Sequence, residues 1–179
     1  MFTSKSKSLL VVAALAATLP AAAATFTFSA VLSGANEAPP NASTATGNTL
    51  VTFDDSNSSV TVGVTFAGLS SVATAAHIHC CSGPGANSGV ALAMTGFPSS
   101  TGTTYNAVLS VFSGANTFAS VLVGAQAGLA YVNVHNGALF PGGELRGNLM
   151  PIPEASTYAM MLAGLAAVGA LARRRQSQG

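Results

Sequence analysis

Between residues 25 and 150 the chain alternates apolar with short polar side chains and breaks at clusters of Gly, Pro, Asn and Ser. TFTFSAVL sets Phe26, Phe28 and Ala30 against Thr25, Thr27 and Ser29. NTLVTF, SVTVGVTF, TAAHIH, GVALAM, TYNAVLSVF, FASVLV, LAYVNVH and ELRGNL continue the pattern. A period of two puts successive side chains on opposite faces of a strand, so one face can be buried while the other meets water. The segments between, such as SGANEAPPNASTATG, DDSNS and CCSGPGANSG, carry the residues that make turns. Roughly eight or nine short strands at this spacing predict an all-β fold, an antiparallel sandwich or barrel. No stretch has a convincing helical period, although Val123–Ala130 has room for one helical turn. SGAN occurs at Ser33–Asn36 and again at Ser113–Asn116, which reads as repeated turn chemistry rather than duplication.

The two ends are built differently. MFTSKSKSLLVVAALAATLPAAAATF opens with Lys5 and Lys7, continues through an apolar run from Leu9 to Leu19, and reaches the small residues Ala22, Ala23 and Ala24. This predicts an N-terminal signal helix over residues 1–24, cut by signal peptidase before Thr25. At the other end, residues 151–179 run from a Pro-rich break into an uncharged apolar segment, a transmembrane helix over about 157–172, and close with Arg173, Arg174 and Arg175. An Arg cluster orients such a helix with its basic end in the cytoplasm. The order of parts in PIPEASTYAMMLAGLAAVGALARRR resembles the PEP-CTERM sorting tail, with Ala155 where the second proline of Pro-Glu-Pro stands. The resemblance implies a Gram-negative bacterium, transient anchoring in the inner membrane, processing by an exosortase, and delivery to the cell surface or extracellular matrix.

Removing both ends leaves one domain, residues 25–150. Its acids are Glu37, Asp54, Asp55 and Glu144 and its one base is Arg146, a net charge of −3. A nucleic-acid surface needs clustered Lys and Arg to neutralise phosphates, so nucleic acid is excluded as a partner. The low charge and many short polar side chains suit an extracellular β-protein in contact with matrix or polysaccharide.

FSAVLSGANEAPPNASTATG, then HIH, then YVNVHNGALFPGGELRGNL occur in that order across nearly all of the domain. Together they resemble the CHRD domain, which implies an immunoglobulin-like Greek-key sandwich or barrel and an extracellular setting, with no settled activity. HIH followed by a later V-x-V-H strand is also similar, more weakly, to Cu/Zn superoxide dismutase. That likeness implies His77, His79 and His135 as copper ligands. It also requires a bridging histidine and a zinc set, and the chain has only these three histidines.

Residue spacing supports a metal site independently. His77 and His79 share a strand face, while Tyr131, Asn133 and His135 share one face of the later strand. Burying Ile78, Val132 and Val134 puts all three histidines outside the core, where they converge if the strands are neighbours. Three imidazoles with one position left open suit copper or zinc. Cys80 and Cys81 are adjacent. Three readings stand: a vicinal disulfide, thiolates beside the histidines, or bridges between chains. FPGGELRG reads as a tight turn into the last strand, with Arg146 paired to Glu144 or a loop carbonyl. NEAPPNAS reads as an exposed loop, stiffened by Pro39 and Pro40, in which Glu37 binds a loop or a cation. No catalytic constellation is present. The expectation is a non-enzymatic surface module, with the three-histidine metal domain as the alternative and a dismutase-like enzyme as its remotest extension.

Overall fold

The structure is a computed structural model and describes residues 24–137, 139–153 and 155–177. The expected signal helix lies outside the described residues. Nine strands form one sheet: β1 (Thr25–Ser33), β2 (Thr46–Asp54), β3 (Ser59–Ala67), β4 (Ala73–His79), β5 (Val90–Ala93), β6 (Thr103–Leu109), β7 (Tyr131–Asn136), β8 (Phe140–Asn148) and β9 (Met150–Pro151). Among the described residues two α-helices accompany the sheet, α1 (Phe118–Gln126) and α2 (Ala155–Gln176). The strand order is β5-β4-β7-β8-β1-β2-β3-β6, with β9 beside β1. Every pairing is antiparallel, and the sheet curls into a nearly closed barrel. Non-sequential neighbours such as β4–β7 and β3–β6 come from connections that cross the ends of the barrel, as a Greek key requires.

The alternation sets the inside. β3 buries Val60, Val62, Val64 and Phe66 and turns Thr61 and Thr65 outward. β1 and β2 add Phe28, Leu32, Val51 and Phe53, and β4, β7 and β8 add Ala76, Ile78, Val132, Val134 and Leu145. Phe28 meets Phe53 edge-on at 5.5 Å, and Phe53 meets Phe118 of α1 at 5.7 Å. Each large side chain buried this way stabilises the fold by about 1.5–3 kcal/mol.

Phe118–Val123, which alternates like a strand, is instead the first part of α1. Thr117 accepts from the Ser120 backbone N–H, and the Ser120 hydroxyl accepts from that of Thr117, a reciprocal cap that starts a helix. Val121, Gly124 and Ala125 then face the core. Both SGAN segments are turns, one a 3₁₀ turn at Gly34–Asn36 and the other closed by Asn116 N–H donating to Ser113 O.

α2 covers the apolar segment of the tail and ends in the three arginines. Its large apolar side chains, from Tyr158 to Leu171, are exposed. The transmembrane helix expected over about 157–172 is therefore helical. Among the described residues, however, no helix is long and apolar enough to cross a membrane. Sixteen helical residues rise only about 24 Å, against roughly 30 Å of hydrocarbon.

A candidate metal centre under a roof of loops

β7 lies between β4 and β8, and its register decides what meets outside the barrel. His79 pairs with Tyr131, His77 with Asn133, and Ala75 with His135 on the β4 side. On the β8 side Asn133 pairs with Arg146 and Tyr131 with Asn148. One outer face thus gathers His77, His79, Tyr131, Asn133, His135 and Arg146. The sequence places the histidines on this face but leaves it open to water. The structure covers it, and β7 is buried on both sides, with Tyr131 3% and Asn133 2% exposed.

Two loops make the roof, the β1–β2 connection and the β4–β5 connection. Arg146, fully buried, donates from Nη1 to Asn87 Oδ1 at 3.0 Å and from Nη2 to the Ala86 carbonyl at 2.7 Å. Its guanidinium lies 3.6 Å from the centre of the Tyr131 ring. Of the two partners expected for Arg146, the loop carbonyl is the one it takes. Asn87 Nδ2 donates to Ala38 O at 2.8 Å and joins one loop to the other. Glu144 is occupied elsewhere, accepting from Ser43 Oγ at 2.6 Å, from the Ser70 N–H at 2.9 Å and from Asn136 Nδ2.

Glu37 corrects the expectation of an exposed loop. Pro39 and Pro40 are exposed, but Glu37 is only 7% exposed and accepts from Asn133 Nδ2 at 2.6 Å. Burial raises its pKa to about 7, against the lowering effects of the Asn133 bond and the Arg146 charge. Gly143 has φ +134, and a Cβ there would run into both the Asn133 amide and the Glu37 carboxylate. The glycine of FPGGELRG is what lets this pair close.

Beside this network the three histidines converge. His77 Nδ1 is 3.1 Å from His135 Nε2, and one ring nitrogen from each of the three lies within 4.8 Å of the others. His79 Nδ1 donates to the Ser88 carbonyl at 2.9 Å, and His135 Nδ1 donates to the Pro141 carbonyl at 3.1 Å. A carbonyl can only accept, so each of these rings carries its proton on Nδ1 and presents a lone pair at Nε2. Nε2 of His79 is buried without a hydrogen-bond partner. This is how metal-ligating histidines are commonly held, with the far nitrogen fixed by an oxygen. Tyr131 supports the arrangement: its ring stacks on His79 with centroids 4.8 Å apart, and its hydroxyl accepts from the Ser88 N–H at 3.2 Å. Burial lowers the pKa of all three histidines, and the neighbouring His135 and His79 help carry His77 down to about 4. At neutral pH the set is uncharged and ready to ligate.

The cysteines stand apart. Cys80 and Cys81 form a vicinal disulfide, the first of the three readings, so neither offers a thiolate. Cys80 belongs to the core cluster, on the face of β4 opposite His79, and α1 crosses the pair at Gly124.

Sequence reasoning found the three histidines and the face they share. It missed Tyr131 and Ser88 as supports of His79 and Asn133 as the partner of Glu37. For Tyr131 and Asn133 a signal existed, since both stand at i−4 and i−2 from His135 on the same face. For Ser88 none did. A family model described as CHRD domain matches residues 28–149, and one described as PEP-CTERM protein-sorting motif matches residues 151–176. No curated protein and no solved structure matches the chain.

Proposed function

From the premise that this chain belongs to the CHRD domain family, we propose that it is a non-enzymatic module of the cell surface or extracellular matrix whose three-histidine centre binds a transition-metal ion. Its PEP-CTERM tail implies an exported protein, sorted to the cell surface and processed by exosortase. The finer parts of the reading are a Gram-negative host, signal peptidase acting before Thr25, and brief residence in the inner membrane through α2. The host is what the PEP-CTERM likeness implies; the basic-apolar-small order of the N-terminus supports signal peptidase, and the exposed aliphatic helix closed by Arg173, Arg174 and Arg175 supports the stay at the membrane. A polysaccharide or protein matrix is the expected surrounding.

One observation carries the metal reading: three imidazole nitrogens within 4.8 Å, two of them turned inward by carbonyls that hold the opposite ring nitrogen. A sheet-surface histidine with a merely structural role would be satisfied at both nitrogens, and His79 Nε2 is not. The ion would be held by His77, His79 and His135, with copper and zinc the ions such ligands suit. The test is metal content. The exported protein, purified without chelators, should carry one equivalent of metal, and His135→Ala should carry none. A parent that holds no metal even after reconstitution would leave the histidines as ordinary wall residues and sink the reading.

A further inference from the structure

Which ion the centre takes is written in the charges around it. The donors are three neutral imidazoles, and among the described residues no carboxylate or thiolate belongs to the cluster. The thiols are spent in the disulfide. Glu37 is engaged by Asn133, and Glu144 by Ser43, Ser70 and Asn136. The charged side chain that does stand by is a cation. Arg146 lies 3.6 Å from the Tyr131 ring centre, and His79 stacks on that ring at 4.8 Å. The guanidinium cannot swing away, because it is fully buried and bonded to Ala86 and Asn87.

A divalent ion would therefore set two positive charges near a fixed third, with no anionic ligand to offset them. A monovalent ion sets one. Imidazole nitrogens suit copper as well as zinc, but Zn(II) is almost always four-coordinate and Cu(II) prefers a tetragonal set. Three imidazoles complete neither set by themselves, so Zn(II) or Cu(II) would each need water or another added ligand in the open position. Cu(I), with a single charge and a low preferred coordination number, is content with three nitrogens in a triangle and needs no added ligand. The spacing agrees. Metal–nitrogen bonds of ~2.0 Å place trigonal donors ~3.5 Å apart. His77 Nδ1 stands 3.1 Å from His135 Nε2, and one nitrogen from each of the three rings lies within 4.8 Å of the others. Loading needs His77 to move its proton from Nδ1 to Nε2 and so free the lone pair that faces His135. The ring stays neutral through that exchange.

We propose that His77, His79 and His135 form a three-coordinate Cu(I) site that prefers Cu(I) to Zn(II) and Cu(II). The inference rests on the metal reading of the preceding subsection and adds the ion, its charge and its coordination number.

The experiment uses the full exported protein and its His135→Ala variant. Cu(I) is titrated anaerobically against a chromogenic Cu(I) chelator, and Zn(II) against a zinc dye. One equivalent of Cu(I) should bind about 100-fold more tightly than Zn(II), a tenfold step for each 1.4 kcal/mol, and His135→Ala should lose it. X-ray absorption of the copper-loaded protein should show three nitrogen scatterers and no sulfur. After exposure to air the sample should stay silent in electron paramagnetic resonance. Equal or tighter Zn(II) binding, a full Cu(II) resonance signal, or a sulfur scatterer would each overturn the Cu(I) assignment, and the first two would leave the three-histidine site standing. Binding of neither ion would bring down the inference and the metal reading together.

Discussion

Glu37 and the three histidines pull the pH dependence of this molecule in opposite directions. Glu37 is held protonated to about pH 7 by burial, so the folded state binds more protons than the unfolded chain between pH 4.5 and 7. Its contribution is full below that window and is lost as pH rises through it. Glu37→Gln keeps the acceptor oxygen that Asn133 uses and removes the ionisation. The variant should melt higher than the parent at pH 8, by roughly 3–6 °C if about 1 kcal/mol is recovered, and near the parent at pH 5. Equal melting shifts at both pH values would mean that burial costs Glu37 nothing. The histidines act the other way. His77 titrates near 4 in the fold and near 6.5 unfolded, so the folded state binds fewer protons between those values. With the opposing Glu37 contribution removed, the metal-free Glu37→Gln variant should lose stability as pH drops from about 6.5 toward 4, which a melting series of that chelator-treated variant reads. Metal occupancy should follow the same nitrogens, steady from pH 8 to pH 6 and gone near pH 4 when measured by equilibrium dialysis. Retention at pH 3.5 would place the ion elsewhere. The histidine half of this chemistry is legible in HIH and VNVH, because i, i+2 spacing fixes a shared face. The Glu37 half is not, since its partner Asn133 stands 96 residues away and only the closed fold brings the two together.

α1 shows where pattern stops being informative. FASVLV alternates as well as any strand in the chain, yet it is helical, because the cap at Thr117 and Ser120 competes for the same backbone. The longer strands, such as β1, β2 and β3, could be read since each spans several alternations. Gly124 is the residue the helix depends on. In an exposed helix Gly→Ala stabilises by about 0.5–1 kcal/mol. Here a Cβ would run into the Sγ atoms of both Cys80 and Cys81, so the helix must lift off the disulfide. Overpacking of that kind costs about 1–3 kcal/mol and outweighs the propensity gain. Gly124→Ala should therefore lower the melting temperature by several degrees. An unchanged or higher value would show that α1 rides on the barrel more loosely than its buried Val121 and Ala125 imply.

At the scale of the whole molecule the question is where the barrel ends and the sorting tail begins. The charge pattern places the boundary roughly, since the domain holds one basic residue and the tail ends in three. The sheet draws it more finely. β9 adds Met150 and Pro151 to the side of β1 that meets β8, opposite Ser29 and Phe28, and Ile152 N–H donates to Thr27 O at 2.8 Å. The first residues matched as sorting motif are thus stitched to the barrel, a contact that two residues of strand give no means to read beforehand. α2, by contrast, keeps its large apolar side chains exposed, so its removal uncovers no core. A chain ending at residue 153 should keep the melting temperature and metal stoichiometry of the full protein and become more soluble, because the exposed aliphatic face is gone. A chain ending at residue 149 should melt roughly 3–6 °C lower, if the lost backbone hydrogen bonds of β9 and Ile152 together cost a net of about 1 kcal/mol. Processing that spares Ile152 would then release an intact barrel to the surface. Processing that removes it would loosen β1, whose far end at Ser33 pairs with Arg146, the residue that holds the roof over the histidines. Equal melting of the two truncations would show β9 to be an ornament of the sheet and free the cleavage point from any demand of the fold.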